Sequence, residues 1–392
     1  MTKGKVCFVT QRYGLEVNGG AELQCRLFAE HLCEAGWSVT VATTKAIDYI
    51  SWKNEYTKDE EEINGVTVRR FPVVKERNLE TFHLLNAKFL EGQLQESEEK
   101  KWFEEQGPFS PKLIQYIKDE KNNYDAFVFF TYLYYPTVMG LEEVKDKAIL
   151  VPEAHDEPFM KFHCVKKLFE SPKAFFLNTE EERDLIWERF ETKDIPYEIG
   201  GIGIDVPKDI DGERFKKKYD LDQYVVYVGR IDEGKNCNEL FDYFLEYKYR
   251  NPSCLKLVLM GKNVIPVPDV DDIVNLGFVS EEDKYDGMAG ANALILPSKF
   301  ESLSMVVLES MAVETPVIVN GECEVLKGHC IKSNGAFYYN DYFQFEGELN
   351  FLLKKKDDVA EMIQNAMEYV DRNYRWEILV DKLERLIVKV RS

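Results

Sequence analysis

Short runs rich in β-branched and aromatic residues alternate with stretches of helical period along most of the chain. Lys5–Thr10, Ser38–Ala42, Val66–Val73, Asp125–Phe130, Ala148–Val151 and Ala174–Leu177 read as strands. Ala21–Ala35 follows the first of them at helical period, and Glu180–Phe190 reads as a helix with an acidic first turn after the last. Strand and helix in rotation predict a parallel sheet. The rhythm lapses between Lys75 and Asn123, where the charged stretch Glu91–Glu105 reads as an exposed helix, so residues 76–123 are taken as a helical insertion.

Gly200-Gly201-Ile202-Gly203-Ile204-Asp205-Val206-Pro207 reads as a connection, and a second alternating series follows it. Its strands are Tyr224–Val228, Leu255–Met260, Ile273–Leu276, Ala293–Leu296 and Val317–Val319. Its helices are Asn236–Tyr249, Glu281–Ala289 and Met305–Val313. Beyond Phe345 the pattern is helical. The last helix, Arg375–Val390, carries Trp376, Leu379, Leu383, Leu386 and Ile387 on one face and needs a surface to bury them, for which we expect the first domain. The prediction is an α/β protein of two Rossmann-like domains: residues 1–202 with a returning helix 373–392, and residues 203–372.

Length agrees, since 392 residues exceed one ordinary α/β core. No run of eighteen apolar residues occurs, and the chain passes from Met1-Thr2-Lys3-Gly4 directly into a strand, so a cytoplasmic protein is expected. A net charge of −20, with acids in excess in both halves, argues against a nucleic-acid partner. Cys7, Cys25, Cys33, Cys164, Cys237, Cys254, Cys323 and Cys330 show no CxxC pairing, which predicts packed, reduced thiols rather than a disulfide framework or a zinc site.

Ligands of such sheets bind beyond the carboxyl ends of the strands, and three of those ends carry unusual residues. After the first strand, Gln11-Arg12-Tyr13-Gly14 leads to Asn18-Gly19-Gly20-Ala21-Glu22, where paired glycines open a helix. That suits close approach of an anion, or a merely flexible turn. The glycines come too late for a dinucleotide GxGxxG fingerprint, which counts against an oxidoreductase. The second place is Val228-Gly229-Arg230-Ile231-Asp232-Glu233-Gly234-Lys235-Asn236: Arg230 and Lys235 could flank a pyrophosphate, or form an exposed ion-pair loop with Asp232 and Glu233.

The third is Leu296-Pro297-Ser298-Lys299-Phe300-Glu301-Ser302-Leu303-Ser304-Met305, continuing to Glu309. A helix starting within Ser302–Ser304 would offer free amides to an anion. Were Glu301 also helical, Glu301 and Glu309 would lie roughly 80° apart around the axis, both able to grip vicinal hydroxyls. The plainer alternative is an N-cap acid and a solvated helix residue. Glu309, however, sits among Val306, Val307, Leu308, Met311 and Ala312, where a carboxylate needs partners.

Together these residues resemble the retaining nucleotide-sugar glycosyltransferases of family four, which have the GT-B architecture of two facing Rossmann-like domains. The resemblance spans nearly the whole chain. It rests on Gly19-Gly20-Ala21-Glu22, Gly229-Arg230 with Lys235, Gly261 after a strand, Pro297-Ser298, the seven residues between Glu301 and Glu309, and Thr315-Pro316-Val317-Ile318. It implies that Arg230 and Lys235 neutralise the donor diphosphate beside the amides of Leu303 and Ser304, with Ser302 in the same cradle. Glu309 would hold the ribose and Glu301 the transferred sugar. Gly229 and Gly261 would line the donor site, and Gly19-Gly20 would approach the phosphate when the domains close.

The implied reaction moves a hexosyl unit, with retention, from a nucleoside-diphosphate sugar to a glycan, a lipid-linked acceptor or another hydroxyl, in cell-surface polysaccharide or glycoconjugate synthesis. The nucleotide sugar is a co-substrate, and no cofactor is expected. No metal is expected either: Asp209-Ile210-Asp211, Asp220-Leu221-Asp222 and Asp269-Val270-Asp271 fall in acidic loops and read as solvated surface.

Many relatives carry a histidine after the strand that here ends Phe130-Thr131-Tyr132. In this chain the next strand end supplies His155, a candidate catalytic group or a turn-capping structural histidine. The basic segment Phe159–Phe169 suits either peripheral contact with the inner membrane face or a core-packed helix with solvated lysines. A binding-only subunit of the same fold is the competing function.

Overall fold

Consecutive apolar side chains make strands that must be covered on both faces, and β5 (AFVFF) is buried at every position. In the computed structural model, which describes residues 2–17, 19–354 and 356–391, the chain divides into two units, residues 1–202 with 376–392 and residues 203–375. The strands of the first unit are β1 (Lys5–Val9), β2 (Ser38–Thr44), β3 (Glu60–Ile63), β4 (Val66–Phe71), β5 (Ala126–Phe130), β6 (Ala148–Val151), β7 (Ala174–Leu177) and β8 (Tyr197–Ile199).

They form one sheet in the order β3-β4-β2-β1-β5-β6-β7-β8, parallel throughout except for β3 against β4. Strand β1 pairs with β2 on one side and β5 on the other, which puts the topological switch at its carboxyl end. The edge strand β3 is largely charged, as solvent-facing edges tend to be.

The insertion is not an exposed rod. Residues Leu79–Leu90, Glu96–Gln106 and Pro111–Asp119 form three helices, and the stretch expected as one exposed helix is broken before Gln95. Trp102 and Phe103 are fully buried, and Trp102 packs at 5.5 Å from Phe82 and 4.9 Å from Phe162. Two aromatic side chains outweigh a glutamate-rich composition because they alone supply a large area to bury. The segment Phe159–Phe169 joins the same core. Met160, Phe162, Val165, Leu168 and Phe169 are buried while Lys161, Lys166 and Lys167 face solvent, which is the core-packed reading.

The last helix, Trp376–Arg391, packs on the first unit. Trp376 meets Phe28 at 5.0 Å and stacks on His31 at 4.2 Å, and Trp37 Nε1 donates to Glu384 at 2.8 Å.

In the second unit β9 (Tyr224–Val228), β10 (Lys256–Met260), β11 (Ile273–Gly277), β12 (Ala293–Leu296), β13 (Val317–Asn320) and β14 (Phe337–Tyr339) form a parallel sheet in the order β11-β10-β9-β12-β13-β14. The chain winds outward from β9 through β10 to β11, then returns to β12 on the other side of β9. The switch therefore falls between β9 and β12, whose following loops are the second and third motifs. All eight cysteines are free thiols, five of them buried. Among the described residues no helix is long and apolar enough to cross a membrane.

Candidate functional site

Two glycines shape the loop that leaves β9. At the ends of β9 and β10, Gly229 and Gly261 both have φ of 150°, and the Gly229 amide donates to the Met260 carbonyl at 2.9 Å. A Cβ on Gly261 would lie 1.8 Å from the Gly229 carbonyl oxygen, so any side chain there would displace the loop that starts the site.

That loop is organised by Asp232. Its carboxylate pairs with Arg230 and also accepts the Lys235 amide at 2.8 Å, although only 8% of the residue is exposed. The ion-pair reading of this loop thus holds for Arg230, while Glu233 is exposed and Lys235 goes elsewhere. Lys235 Nζ reaches Glu301 Oε1 at 2.7 Å, with side-chain exposures of 30% and 12%. The cation of one loop and the carboxylate of the other therefore meet directly.

Backbone carbonyls hold the loops in register. Asn236 and Asn320 both donate to the Pro297 carbonyl, at 3.1 and 3.2 Å, and Asn320 also donates to Glu239 at 3.0 Å. Three neighbouring strand ends, β9, β12 and β13, are joined in this way. Nothing in the spacing of these asparagines pointed to the role, which needs the sheet order to be known.

The third motif departs from expectation in one respect. The helix begins at Met305, because Ser304 has φ of 68° and ψ of 80°, a left-handed conformation that a right-handed helix cannot contain. Glu301 is not helical, so the angular relation to Glu309 does not apply. Ser302, Leu303 and Ser304 form the turn before the helix, and the first-turn amides without helical acceptors are those of Met305, Val306 and Val307.

Glu309 is 6% exposed, which removes the solvated reading. Its Oε1 accepts from Lys284 Nζ at 3.1 Å and from the Tyr285 hydroxyl at 3.2 Å. Burial works to lower the Lys284 pKa, but the Glu309 and Glu281 carboxylates outweigh it and the net shift is upward. Burial and the same Glu309 charge push the Tyr285 phenol up. Both partners address one oxygen of the carboxylate.

Another group that spacing did not reveal is His329, fully buried, 26 residues from the loop it supports. Its Nε2 lies 2.7 Å from the Leu303 carbonyl and its Nδ1 2.9 Å from the Tyr369 hydroxyl. A carbonyl only accepts, so Nε2 carries the proton and Nδ1 accepts from Tyr369. Burial pushes its pKa down to about 4, keeping the ring neutral.

Gly19, Gly20 and His155 lie in the first unit. Asn18 is outside the described residues. A Cβ on Gly19 would lie 2.1 Å from Glu22 Oε2, part of a buried cluster in which Arg12 pairs with Glu22 at 2.6 Å and Gln11 donates to it at 2.9 Å. A side chain at Gly19 would therefore crowd the Glu22 carboxylate and require it to shift. Gly20 has nothing within 4 Å of where a Cβ would stand, so its bareness serves no internal contact.

His155 follows β6 and is part-exposed, its Nε2 3.7 Å from Glu157, which accepts the Tyr132 hydroxyl from the end of β5. Glu182 lies beneath this loop, accepting the amides of Ala154 and Asn178 at 2.6 Å each. Burial pushes its pKa up to about 8 against the pull of those amides. Of the DxD strings, Asp211 caps the helix Gly212–Tyr219, and Asp209, Asp220, Asp222, Asp269 and Asp271 are exposed.

Residues 209–369 match the family model described as glycosyl transferases group 1. Alpha-D-kanosaminyltransferase from Streptomyces kanamyceticus is 27% identical over 182 residues, which are 41% of this chain and 45% of that protein, so the match spans less than half of the curated relative. Sucrose-phosphate synthase from Thermosynechococcus elongatus superposes with a TM-score of 0.72 at 15% identity, covering 99% of each chain. Anabaena HepE, solved with UDP and glucose, gives 0.71 at 14% identity over 98% of this chain and 99% of its own. These likenesses establish the GT-B fold.

Proposed function

We propose, from the premise that residues 209–369 belong to the glycosyl transferases group 1 family, that the chain transfers a hexosyl unit from a nucleoside-diphosphate sugar to a hydroxyl acceptor with retention. The observation that carries this reading is the Lys235–Glu301 pair at the switch point of the second sheet, beside Arg230 and the start of the helix Met305–Ala312. The solved relative bound to UDP and glucose supports the class of donor.

The difficult step is departure of the nucleoside diphosphate from an oxocarbenium-like carbon, so developing phosphate charge must be met by positive groups already in place. Lys235 and Arg230 are each held by a carboxylate of their own loop cluster. A diphosphate arriving between them competes for both cations, and the Glu301 carboxylate it frees can accept from sugar hydroxyls. Glu309, held on one oxygen by Lys284 and Tyr285, accepts ribose hydroxyls on the other. Ser302, Leu303 and Ser304 and the amides after them complete the phosphate side. The cations take the role that a metal would otherwise fill, and no resident cofactor is required.

In the first unit His155 would orient the acceptor, and Gly20 leaves room for a ligand. The acceptor class is a glycan or a lipid-linked glycan in cell-surface polysaccharide or glycoconjugate synthesis. Cytoplasmic placement is part of the same proposal. Peripheral contact with the inner membrane face would have to come from elsewhere than Phe159–Phe169, whose apolar side is spent on the core. The test is a thermal-shift screen of UDP, GDP and ADP, followed by turnover of the matching nucleotide sugars with and without EDTA. Stabilisation by one diphosphate and EDTA-resistant turnover are expected. No stabilisation by any of them overturns the donor site, and loss of turnover in EDTA overturns the metal-free mechanism.

A further inference from the structure

The turn Glu301–Ser304 carries the motif's first glutamate and leads into the helix, yet its own local geometry is unfavourable. Ser304 holds φ of 68°, a region that costs a non-glycine residue, and its buried hydroxyl has no hydrogen-bond partner. Something outside the turn must hold it there. Lys235 holds the turn's first residue through Glu301, and the contact nearest Ser304 is the imidazole of His329, which donates from Nε2 to the Leu303 carbonyl at 2.7 Å.

The direction of that bond matters. The Leu303–Ser304 peptide is trans, so its carbonyl and its N–H point in opposite directions. Holding the Leu303 carbonyl on His329 therefore turns the Ser304 amide away from the core. The ring cannot easily rotate, because Nδ1 accepts the Tyr369 hydroxyl at 2.9 Å and Tyr369 in turn lies 3.2 Å from the Tyr374 hydroxyl. The far end is anchored in the backbone: Ile204 donates to the Tyr374 carbonyl at 2.9 Å.

We propose that His329 is a positioning residue for the donor diphosphate: held in one tautomer by Tyr369, it fixes the Leu303 carbonyl and thereby aims the Ser304 amide at the phosphate. This rests on the donor-site reading above. The role belongs to neither glutamate of the motif nor to either cation, and it acts only through the backbone of the turn.

The test compares binding of a nucleoside diphosphate with that of its nucleoside. Calorimetry would use whichever of UDP, GDP or ADP binds the wild-type chain, at a temperature well below the melting point of each variant. His329→Phe keeps the ring but loses both nitrogens. It is expected to weaken the diphosphate tenfold or more while leaving the nucleoside within twofold. His329→Gln, whose amide can reach the same carbonyl, is expected to recover to within threefold of wild type.

Tyr369→Phe removes the hydroxyl that sets the tautomer, together with its contact to Tyr374, and should weaken the diphosphate two- to fivefold, so the inference stays testable even if His329→Phe does not fold. Equal weakening of nucleoside and diphosphate would overturn it, as would unchanged diphosphate affinity in Tyr369→Phe and the folded His329 variants. Failure of the wild-type chain to bind any of the three diphosphates overturns the donor reading instead, and this inference with it.

Discussion

Both units bury carboxylates at the carboxyl ends of their strands, but they use them differently. In the first, Glu182 accepts two backbone amides at 2.6 Å. In the second, Glu301 and Glu309 are met by the side-chain ammonium groups of Lys235 and Lys284. A carboxylate satisfied by main-chain donors has no partner to exchange without unravelling a loop. One satisfied by a lysine ammonium can trade it for a ligand at little structural cost. The first arrangement builds a frame, and the second suits the proposed donor site.

The largest expected effect breaks the frame. Glu182→Leu leaves the Ala154 and Asn178 amides buried without acceptors, and should cost about 2 to 5 kcal/mol of unfolding stability in chemical denaturation at pH 5. The cost should depend on pH with a definite sign. Burial raises the folded pKa to about 8, above the ordinary glutamate value of 4.5, so the stabilising contribution is complete below pH 4.5 and is lost as pH rises through 8. The gap between wild type and variant should therefore narrow from pH 5 to pH 8. Diphosphate affinity, measured on the folded protein, should not change. A variant that folds normally yet loses donor affinity would erase the distinction between frame and site.

Next comes the site itself. Lys235→Ala removes the cation that pairs with Glu301 and is proposed to face the donor, and should reduce kcat/KM by a factor equivalent to about 2 to 4 kcal/mol. Because the Lys235–Glu301 pair is part-exposed, the accompanying loss of stability should stay within about 1 kcal/mol. Steady-state kinetics beside a denaturation curve reads both. A collapse in stability with little change in turnover per folded molecule would make Lys235 a frame residue after all.

How much of this was legible beforehand follows the same divide. The residues proposed to meet the donor by side chain lie within short motifs, so Arg230, Lys235, Glu301 and Glu309 could be singled out as candidates, with an exposed ion-pair loop as the open alternative for the first two and their roles coming from the resemblance. The helix around Glu309 reads as buried, and the structure supplies the Lys284 and Tyr285 partners that burial demands. What stayed hidden are contacts that depend on sheet order. Asn236, Asn320 and the Pro297 carbonyl come together only because β9, β12 and β13 are neighbours.

Backbone conformation was equally hidden. A left-handed serine at position 304 has no signature in composition, and it moved the helix start to Met305. The insertion misled for a plainer reason: its glutamates outnumber Trp102 and Phe103, but area buried, not residue count, decides which face turns inward. The charged strand β3 and the three-residue strands β8 and β14 escaped notice because none carries an apolar run long enough to register.

His329 offers a comparison in pH that runs opposite to Glu182. Its folded pKa is lowered from 6.5 to about 4 by burial, with Lys332 adding to the effect. The contribution of the neutral ring is therefore present above pH 6.5 and is lost as pH falls toward 4. Relative to His329→Gln, the wild-type chain should lose about 3 kcal/mol of stability across that window. A difference that stays flat between pH 6.5 and 4 would show that the ring is not held neutral by burial.

The smallest effect probes whether the first unit has any chemistry of its own. His155 is part-exposed, and Glu157, the carboxylate at 3.7 Å from it, is already engaged by Tyr132, so neither fold nor charge depends much on the imidazole. His155→Ala should leave stability within about 0.5 kcal/mol, as surface substitutions usually do. If the ring orients an acceptor hydroxyl, kcat should fall by about 1 to 2 kcal/mol while the donor KM is retained. Tyr132→Phe, which loosens Glu157 without touching His155, should produce a weaker version of the same split. Equal losses in kcat and donor affinity would assign His155 to the turn it sits in and leave Gly20 as the first unit's remaining claim on the ligand.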